Sequence, residues 1–204
     1  MDMRNRWADA ALHGLERMAV TKANHRAAMI ANAGMSLLLV TLCIERHDMN
    51  PVRALATFLF GLLLFTLVEY SFHRWLFHGP EHAMERGHRR HHLAPTGIDS
   101  LPFFLPPVCL LVIAGALAEV TPLGYALLLT GAIACGYFAY GQCHESIHRS
   151  RYRSSLARRW AAHHHVHHHH PDRNFGVTSP LWDIVFRTRY RRRDTRSIEA
   201  RAAG

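Results

Sequence analysis

The chain has 204 residues, a formal net charge of +9 at pH 7 and a mean hydropathy near zero, at -0.06. That average conceals an alternation of long apolar segments with basic, histidine-rich ones, which argues against a soluble protein built on one core. No nucleic-acid-binding motif accompanies the charge, so we assign the arginines to membrane topology and contact with anionic headgroups, and predict no nucleic-acid partner.

An N-terminal arm precedes the apolar segments. Between residues 4 and 26, apolar side chains recur at helical spacing among charged ones, namely Trp7, Ala11, Leu15 and Met18. This pattern predicts an amphipathic helix that lies at a membrane interface. We therefore divide the chain into an amphipathic N-terminal arm (residues 1–26), a membrane domain (residues 27–188) and a basic C-terminal tail (residues 189–204).

Four apolar segments follow, at residues 27–44, 54–68, 101–118 and 123–140. A helix needs about 20 mostly apolar residues to cross a bilayer, so the segments predict an all-α integral membrane bundle of four transmembrane helices. The second segment is short, and we expect its helix to continue through Glu69 and Tyr70.

The distribution of charge predicts the orientation in the membrane. Of the 24 lysines and arginines, only Arg46 and Arg53 fall in the two loops on one side of the predicted bundle. The positive-inside rule then predicts that the other side is cytoplasmic.

Histidine is concentrated on that predicted cytoplasmic side. Of the 18 histidines, 15 lie between His73 and His170, and all of these except His82 fall into four groups. Neutral imidazole is the commonest metal ligand, whereas the four cysteines form no C-x-x-C pair that would predict a thiolate site. The groups predict a cytoplasmic helical cap that holds a dinuclear metal site. The candidate ligands are His73, His78, His88, His91, His92, His144, His148, His164, His167 and His168.

Two of the groups have the spacing of one helical face. His88, His91 and His92 stand at i, i+3 and i+4, and His144 and His148 stand at i and i+4. Side chains at these intervals lie one above another on an α-helix. Each group therefore presents its imidazoles to a shared site.

The first and last groups are ambiguous. His73 and His78 are five residues apart, about 140° around an α-helix. Either the helix loosens between them or they bind different metals, and a dinuclear centre favours the second possibility. The last group fits H-x-x-H-H in two registers, namely His164, His167 and His168 or His165, His168 and His169. We prefer the first register, because it leaves a short link into Pro171.

The remaining histidines have weaker contexts. His13, His25 and His47 are isolated in the sequence, and we interpret them as surface or interfacial residues. His82 lies between two groups, and we expect it to neighbour the site or to be exposed rather than to bind metal.

His144, Glu145 and His148 also match H-E-x-x-H, in which two histidines bind zinc and the glutamate acts as a general base. A zinc metallopeptidase is therefore an alternative function. It needs only three protein ligands, which would leave about seven turn-spaced histidines unexplained.

A non-catalytic metal-binding membrane protein or transporter is a second alternative. Transport predicts ionisable residues along the membrane path, and the apolar segments offer almost none beyond Glu69 and Asn32.

In their order, the four groups read H-x4-H, H-x2-H-H, H-x3-H and H-x2-H-H. This order resembles the fatty acid hydroxylase superfamily, also called the sterol desaturase family, whose members are membrane-bound non-haem di-iron enzymes. The resemblance runs from about Glu69 to Thr188 and includes residues 174–183. The loop after His92 is most similar to the fatty acid 2-hydroxylase branch. We expect the apolar side chains of residues 181–186 to pack on the membrane or on the histidine helices.

The resemblance implies a membrane-bound di-iron oxygenase that hydroxylates or desaturates a lipid C–H bond. It implies two iron ions as cofactors and dioxygen as co-substrate, with zinc possible in recombinant protein because the affinity order favours it. The sequence has no flavin, nicotinamide or haem fingerprint. We therefore expect a membrane lipid substrate and an external electron donor, either a cytochrome b5-like protein or a ferredoxin with its reductase. Beyond the metal ligands we predict no separate catalytic residue.

Overall fold

A computed structural model describes residues 3–46 and 49–191, so His47 and residues 192–204 of the predicted tail lie outside the described part. All regular structure in that part is helical, which agrees with the all-α prediction. The helices are α1 Met3–Ala19, α2 Lys22–Arg46, α3 Pro51–Ser71, α4 Ala83–Leu93, α5 Leu105–Ala118, α6 Leu123–Arg149, α7 Ser155–His169 and α8 Leu181–Val185, with a π-helical turn at Phe72–Phe77.

Three helical stretches are long and apolar enough to cross a membrane, namely Lys22–Glu45, Pro51–Phe77 and Leu123–Arg149. They are the helices of a membrane protein. The second stretch begins before the predicted segment, because the Asn50 side chain accepts hydrogen bonds from the amides of Val52 and Arg53, both at 3.1 Å. Pro51 at the first helical position completes this start signal.

The third predicted segment forms a shorter helix than expected. α5 has 14 residues, so at 1.5 Å per residue it is about 21 Å long, less than the ~30 Å of a hydrocarbon core. It begins at Leu105 because Asn24 holds the preceding residues out of the helix. The Asn24 side chain donates to the carbonyls of Ser100 and Leu101 and accepts from the amide of Phe103.

α6 lies at the centre of the bundle and packs against α2, α3 and α5. Glycine permits the closest approach. A Cβ atom on Gly136 of α6 would lie 2.5 Å from the Phe65 ring of α3, and one on Gly61 of α3 would lie 2.6 Å from Ala132 of α6. The backbones of α3 and α6 therefore approach closely enough to hold their ends together.

All four apolar helices connect the same two ends of the bundle. α3 with its π-helical turn and α6 both end among histidines, and α2 begins beside them, with His25 Nε2 3.7 Å from Glu145 Oε2. α5 runs from this end back to the start of α6. The metal-binding candidates therefore lie at one end of the bundle.

α1 and α8 flank the histidine end. α1 is held to α4 by an ion pair between Glu16 and Arg86, while Trp7 is 73% exposed. On the other flank, the Trp182 indole donates to Thr66 Oγ1 of α3 at 2.9 Å, and Phe186 stacks on Tyr70. The C-terminal apolar residues thus pack partly on α3, while other members of that group, such as Val185, remain exposed.

Candidate metal centre

Ten histidines meet at one end of the bundle in two clusters of five. Within each cluster the ligand atoms all lie within 4.8 Å of one another. Cluster one contains His73, His78, His88, His92 and His167, and cluster two contains His91, His144, His148, His164 and His168. The structure thus brings together all ten candidate ligands, with the first register of the last group. His165 and His169 of the other register are exposed.

His73 and His78 enter the same cluster because the helix between them is not an α-helix. Residues Phe72–Phe77 form a π-helical turn, whose bonding from i to i+5 brings residues five apart onto one face. The two rings stack with centroids 5.3 Å apart and an interplanar angle of 28°. Our preferred interpretation, that they bind different metals, is therefore wrong for this arrangement. It assumed α-helical periodicity where the helix in fact loosens.

Two helices serve both clusters. α4 contributes His88 and His92 to cluster one and His91, on the adjoining face, to cluster two. α7 likewise contributes His167 to cluster one and its other two candidate ligands to cluster two. The histidines of each i, i+3, i+4 pattern thus contribute to two neighbouring clusters instead of one site.

The nitrogen atoms of cluster one have the spacing of a metal coordination shell. Four Nε2 atoms form a ring with edges of 3.1 Å (His88–His78), 3.0 Å (His78–His167), 3.2 Å (His167–His92) and 3.0 Å (His92–His88). His73 Nε2 lies 3.0 Å from His88 Nε2. With metal–nitrogen bonds of about 2.1 Å, a 90° angle gives an edge of about 3.0 Å and a tetrahedral angle about 3.4 Å. The donor set therefore fits a five- or six-coordinate ion.

Cluster two has the same character. His164 Nε2 lies 3.1 Å from His144 Nε2, 3.0 Å from His148 Nε2 and 3.1 Å from His168 Nε2. His91 Nε2 is buried and has no hydrogen-bond partner among the residues that the structure describes. An unsatisfied buried nitrogen is costly, and a metal ion would remove that cost. Both clusters can therefore hold a metal ion.

The electrostatics of the clusters favour metal over protons. Burial lowers the pKa of His78 to about 4, of His167 to about 3, and of His91 and His168 to about 2. Burial also lowers the pKa of His88, and repulsion from neighbouring imidazoles adds to the shift. The rings are therefore neutral at physiological pH, which is the state that binds metal.

Backbone carbonyls orient two ligands of cluster one. His73 Nδ1 donates to the carbonyl oxygen of Phe175, and His167 Nδ1 donates to that of Arg173 at 2.7 Å. A proton held on Nδ1 leaves the Nε2 lone pair free to face the cluster. The segment after α7 thus fixes the tautomer of ligands that lie on two different helices.

Asp183 organises this segment. The carboxylate is fully buried, and its Oδ1 accepts from Phe175 N at 2.8 Å and Thr188 Oγ1 at 2.7 Å. Its Oδ2 accepts from Gly176 N at 2.8 Å and lies 3.0 Å from His163 Nε2. Burial alone would raise the pKa of Asp183, but these hydrogen bonds hold it below the ordinary value. Asp183 is thus an anionic anchor beside cluster one.

Glu69 fastens the same segment to α3. One carboxylate oxygen accepts from the amides of Val177 and Thr178 at 2.6 and 3.0 Å, and the Thr178 hydroxyl donates to the other. The buried Tyr70 hydroxyl lies 3.0 Å from Thr188 Oγ1. Sequence reasoning assigned neither Asp183 nor Glu69 a role at the site. An ionisable residue at the end of an apolar segment was the signal available for Glu69.

Glu145 does not occupy the position that a zinc peptidase needs. Its carboxylate pairs with Arg149 Nε at 3.1 Å and lies 3.7 Å from His25 Nε2. His144 and His148 belong to a cluster of five imidazoles, whereas a catalytic zinc site keeps three protein ligands. The geometry therefore gives no support to the peptidase alternative.

The other described histidines lie outside both clusters. His82 caps α4, with Nδ1 accepting from the amides of Met84 and Glu85. His13 Nδ1 lies 2.9 Å from a backbone carbonyl of its own helix, and His25 Nδ1 lies 2.8 Å from Ser100 Oγ.

Comparison with known proteins gives one consistent result. The sequence model of the fatty acid hydroxylase family matches residues 58–188. The chain is 28% identical over 158 residues to the ceramide very long chain fatty acid hydroxylase SCS7 of Saccharomyces cerevisiae, covering 71% of this chain and 41% of that protein. It is 31% identical over 145 residues to the fatty acid 2-hydroxylase of Rattus norvegicus, covering 64% of this chain and 38% of that protein.

A solved structure is also similar. It is described as full-length Scs7p with only the hydroxylase domain visible, and the match has a TM-score of 0.67 at 25% identity. The match covers 80% of this chain and 66% of that one. The chain spans less than half the length of the two curated relatives above.

Proposed function

This chain belongs to the fatty acid hydroxylase family, and we propose that it is a membrane hydroxylase acting at C-2 of a lipid fatty acyl chain. The reaction is R–H + O₂ + 2 e⁻ + 2 H⁺ → R–OH + H₂O. The observation that carries the proposal is the pair of five-imidazole clusters at one end of the membrane helices. The acyl substrate and the position rest on relatives named as ceramide or fatty acid 2-hydroxylases.

We propose that each cluster holds one iron ion. Bound iron supplies the redox chemistry that dioxygen reduction and C–H oxidation need, which zinc lacks. Zinc can still occupy the same nitrogens in recombinant protein, because its affinity for imidazole sites exceeds that of Fe²⁺. The chain itself keeps the imidazoles neutral by burial. It also orients His73 and His167 through the carbonyls of Phe175 and Arg173.

We further propose that all four apolar helices cross the membrane, with the clusters on the cytoplasmic side. α5 is short, but local thinning of the bilayer accommodates a short span at modest cost. The scarcity of Lys and Arg in the loops at the far end supports the orientation. The topology is tested by placing single cysteines at Glu119 and Arg151 in a cysteine-free background. Only the cysteine at Glu119 should react with an impermeant maleimide in intact cells.

The proposed reaction requires two electrons from a donor. We propose a cytochrome b5-like protein or a ferredoxin with its reductase, which would approach from the aqueous side while the lipid enters from the bilayer. The basic surface around α7, which includes Arg153, Arg158 and Arg159, would attract an acidic donor by electrostatic steering. Turnover should therefore require an added donor and should fall as ionic strength rises.

The decisive experiment uses iron-loaded protein in lipid nanodiscs with a donor system, ceramide or free fatty acid, and isotopically labelled dioxygen. The expected product carries one labelled oxygen at C-2. Zinc-loaded protein and His164→Ala should give none, whereas Glu145→Gln should keep its activity, because Glu145 lies outside both clusters. Equal product formation without dioxygen would refute the proposal, and loss of two hydrogens would identify a desaturase instead.

A further inference from the structure

The last histidine group contains two imidazoles that the clusters do not use. His165 and His169 stand at i and i+4 on α7, and both side chains are exposed. His164, His167 and His168 on the same helix face the clusters. Of the second H-x-x-H-H register, only His168 enters a cluster. The other two imidazoles form a separate pair on the outer side of α7.

Their spacing is that of a chelating pair. Residues four apart on a helix have Cβ atoms about 5–6 Å apart, and two histidines at i and i+4 are the arrangement with which helical H-E-x-x-H motifs bind zinc. Two neutral imidazoles bind a divalent transition metal and leave its remaining positions to water. His170 is engaged elsewhere, because its ring stacks on Tyr190 with centroids 4.3 Å apart.

The exposed arginines of α7 lie near its start, whereas its C-terminal end suits a cation. His169 is the last residue of α7, and the C-terminal end of a helix carries a partial negative charge that stabilises cations. The arginine beyond that end, Arg173, is paired with Asp172 at 3.1 Å. The positive charge closest in sequence to the pair on that side is therefore partly neutralised.

The pair adjoins cluster two. The ring centroid of His165 lies 5.6 Å from that of His148, which is one of the five imidazoles of cluster two. An ion held by His165 and His169 would therefore lie beside a ligand of the buried site. This contact connects an exposed imidazole to a cluster whose members are buried or half-buried.

We propose that His165 and His169 form a third, surface metal site, which binds a divalent transition-metal ion and delivers it to cluster two. The delivery role rests on the proposed metal centre, whereas binding by the surface pair does not. The surface site should be weaker than the clusters, because it offers two nitrogens instead of five.

Binding is tested on full-length protein in detergent, loaded with zinc, freed of excess metal and titrated with Ni²⁺. Wild type should bind one additional Ni²⁺ per chain, and the His165→Ala/His169→Ala variant should lose that equivalent. His13→Ala, which removes an isolated exposed histidine from α1, should keep it. Absence of the additional equivalent in wild type, or its retention in the double variant, would overturn the proposal.

Delivery is tested by following the uptake of limiting Co²⁺ into apoprotein through its visible absorption. The double variant should load more slowly than wild type and reach the same final occupancy, and equal loading rates would overturn the delivery role. Zinc content before the nickel titration reports on the buried clusters separately. A value near zero would contradict the metal centre while leaving the nickel result on the surface pair readable.

Discussion

Replacing Asp183 by asparagine tests whether a buried anion holds the segment that orients cluster one. The carboxylate accepts two backbone hydrogen bonds, from Phe175 and Gly176, and contacts Thr188 and His163. The hydroxyl and the imidazole can reverse their roles, but the two amides can only donate. Since asparagine offers one acceptor oxygen, one backbone amide loses its partner. The orphaned donor costs about 1–3 kcal/mol and the lost charge assistance about 1 kcal/mol, so we expect a loss of about 2–4 kcal/mol.

Thermal unfolding of metal-loaded protein in detergent measures this loss. For about 200 residues, 2–4 kcal/mol corresponds to a decrease of about 5–15 °C in Tm. Asp172→Asn is the matched control, because this exposed carboxylate pairs only with Arg173 in the described part and should shift the stability by less than about 0.5 kcal/mol. Turnover by Asp183→Asn should also fall, since Phe175 orients His73. If the Tm of Asp183→Asn equalled that of wild type, the anchoring role would be refuted.

Three further predictions follow from packing, capping and protonation. Gly136→Ala should destabilise the bundle by about 1–3 kcal/mol, because its Cβ would lie 2.5 Å from the Phe65 ring, whereas Gly141→Ala meets nothing within 4 Å and should be neutral or stabilising in the same melting assay. Asn24→Ala should lower the Tm, because it removes a side-chain amide that forms hydrogen bonds with three backbone groups. An unchanged Tm would show that the loop before α5 does not need Asn24 to keep its conformation. The metal-free protein should lose stability as pH falls from about 7.5 to about 5. Over this interval the histidines of the unfolded chain take up protons near pH 6.5, whereas the cluster histidines of the folded chain, with pKa values of about 4 or lower, do not. A Tm that rises as the pH falls would contradict the lowered pKa values of the clusters.

Apolar length and histidine spacing predicted most of the architecture. The helices α2, α3 and α6 are long and apolar, and hydropathy predicted each of them, although the segment predicted for α3 was shorter than its helix. The start of α5 was not predictable in the same way, because it depends on Asn24, which lies far away in sequence. Hydropathy detects the apolar run but not a distant amide that forms hydrogen bonds with the residues before the helix.

The metal centre was also only partly predictable from the sequence. The i, i+3, i+4 spacing of His88, His91 and His92 correctly indicated ligands on one helix, but His91 serves cluster two while the other two serve cluster one. The spacing of His73 and His78 has two readings until the π-helical turn is seen. The anchoring of residues 175–178 by Glu69 joins groups more than 100 positions apart, and no local periodicity encodes such a contact.

The sharing of α4 and α7 between the clusters has a consequence for how the proposed metal centre would be filled. An ion in cluster one would immobilise both helices against α3 and would thereby pre-order the imidazoles that cluster two needs. The two binding equilibria are then thermodynamically linked, and by reciprocity each ion raises the affinity for the other. A sub-stoichiometric metal titration should accordingly produce empty and doubly occupied molecules, with few singly occupied ones between them.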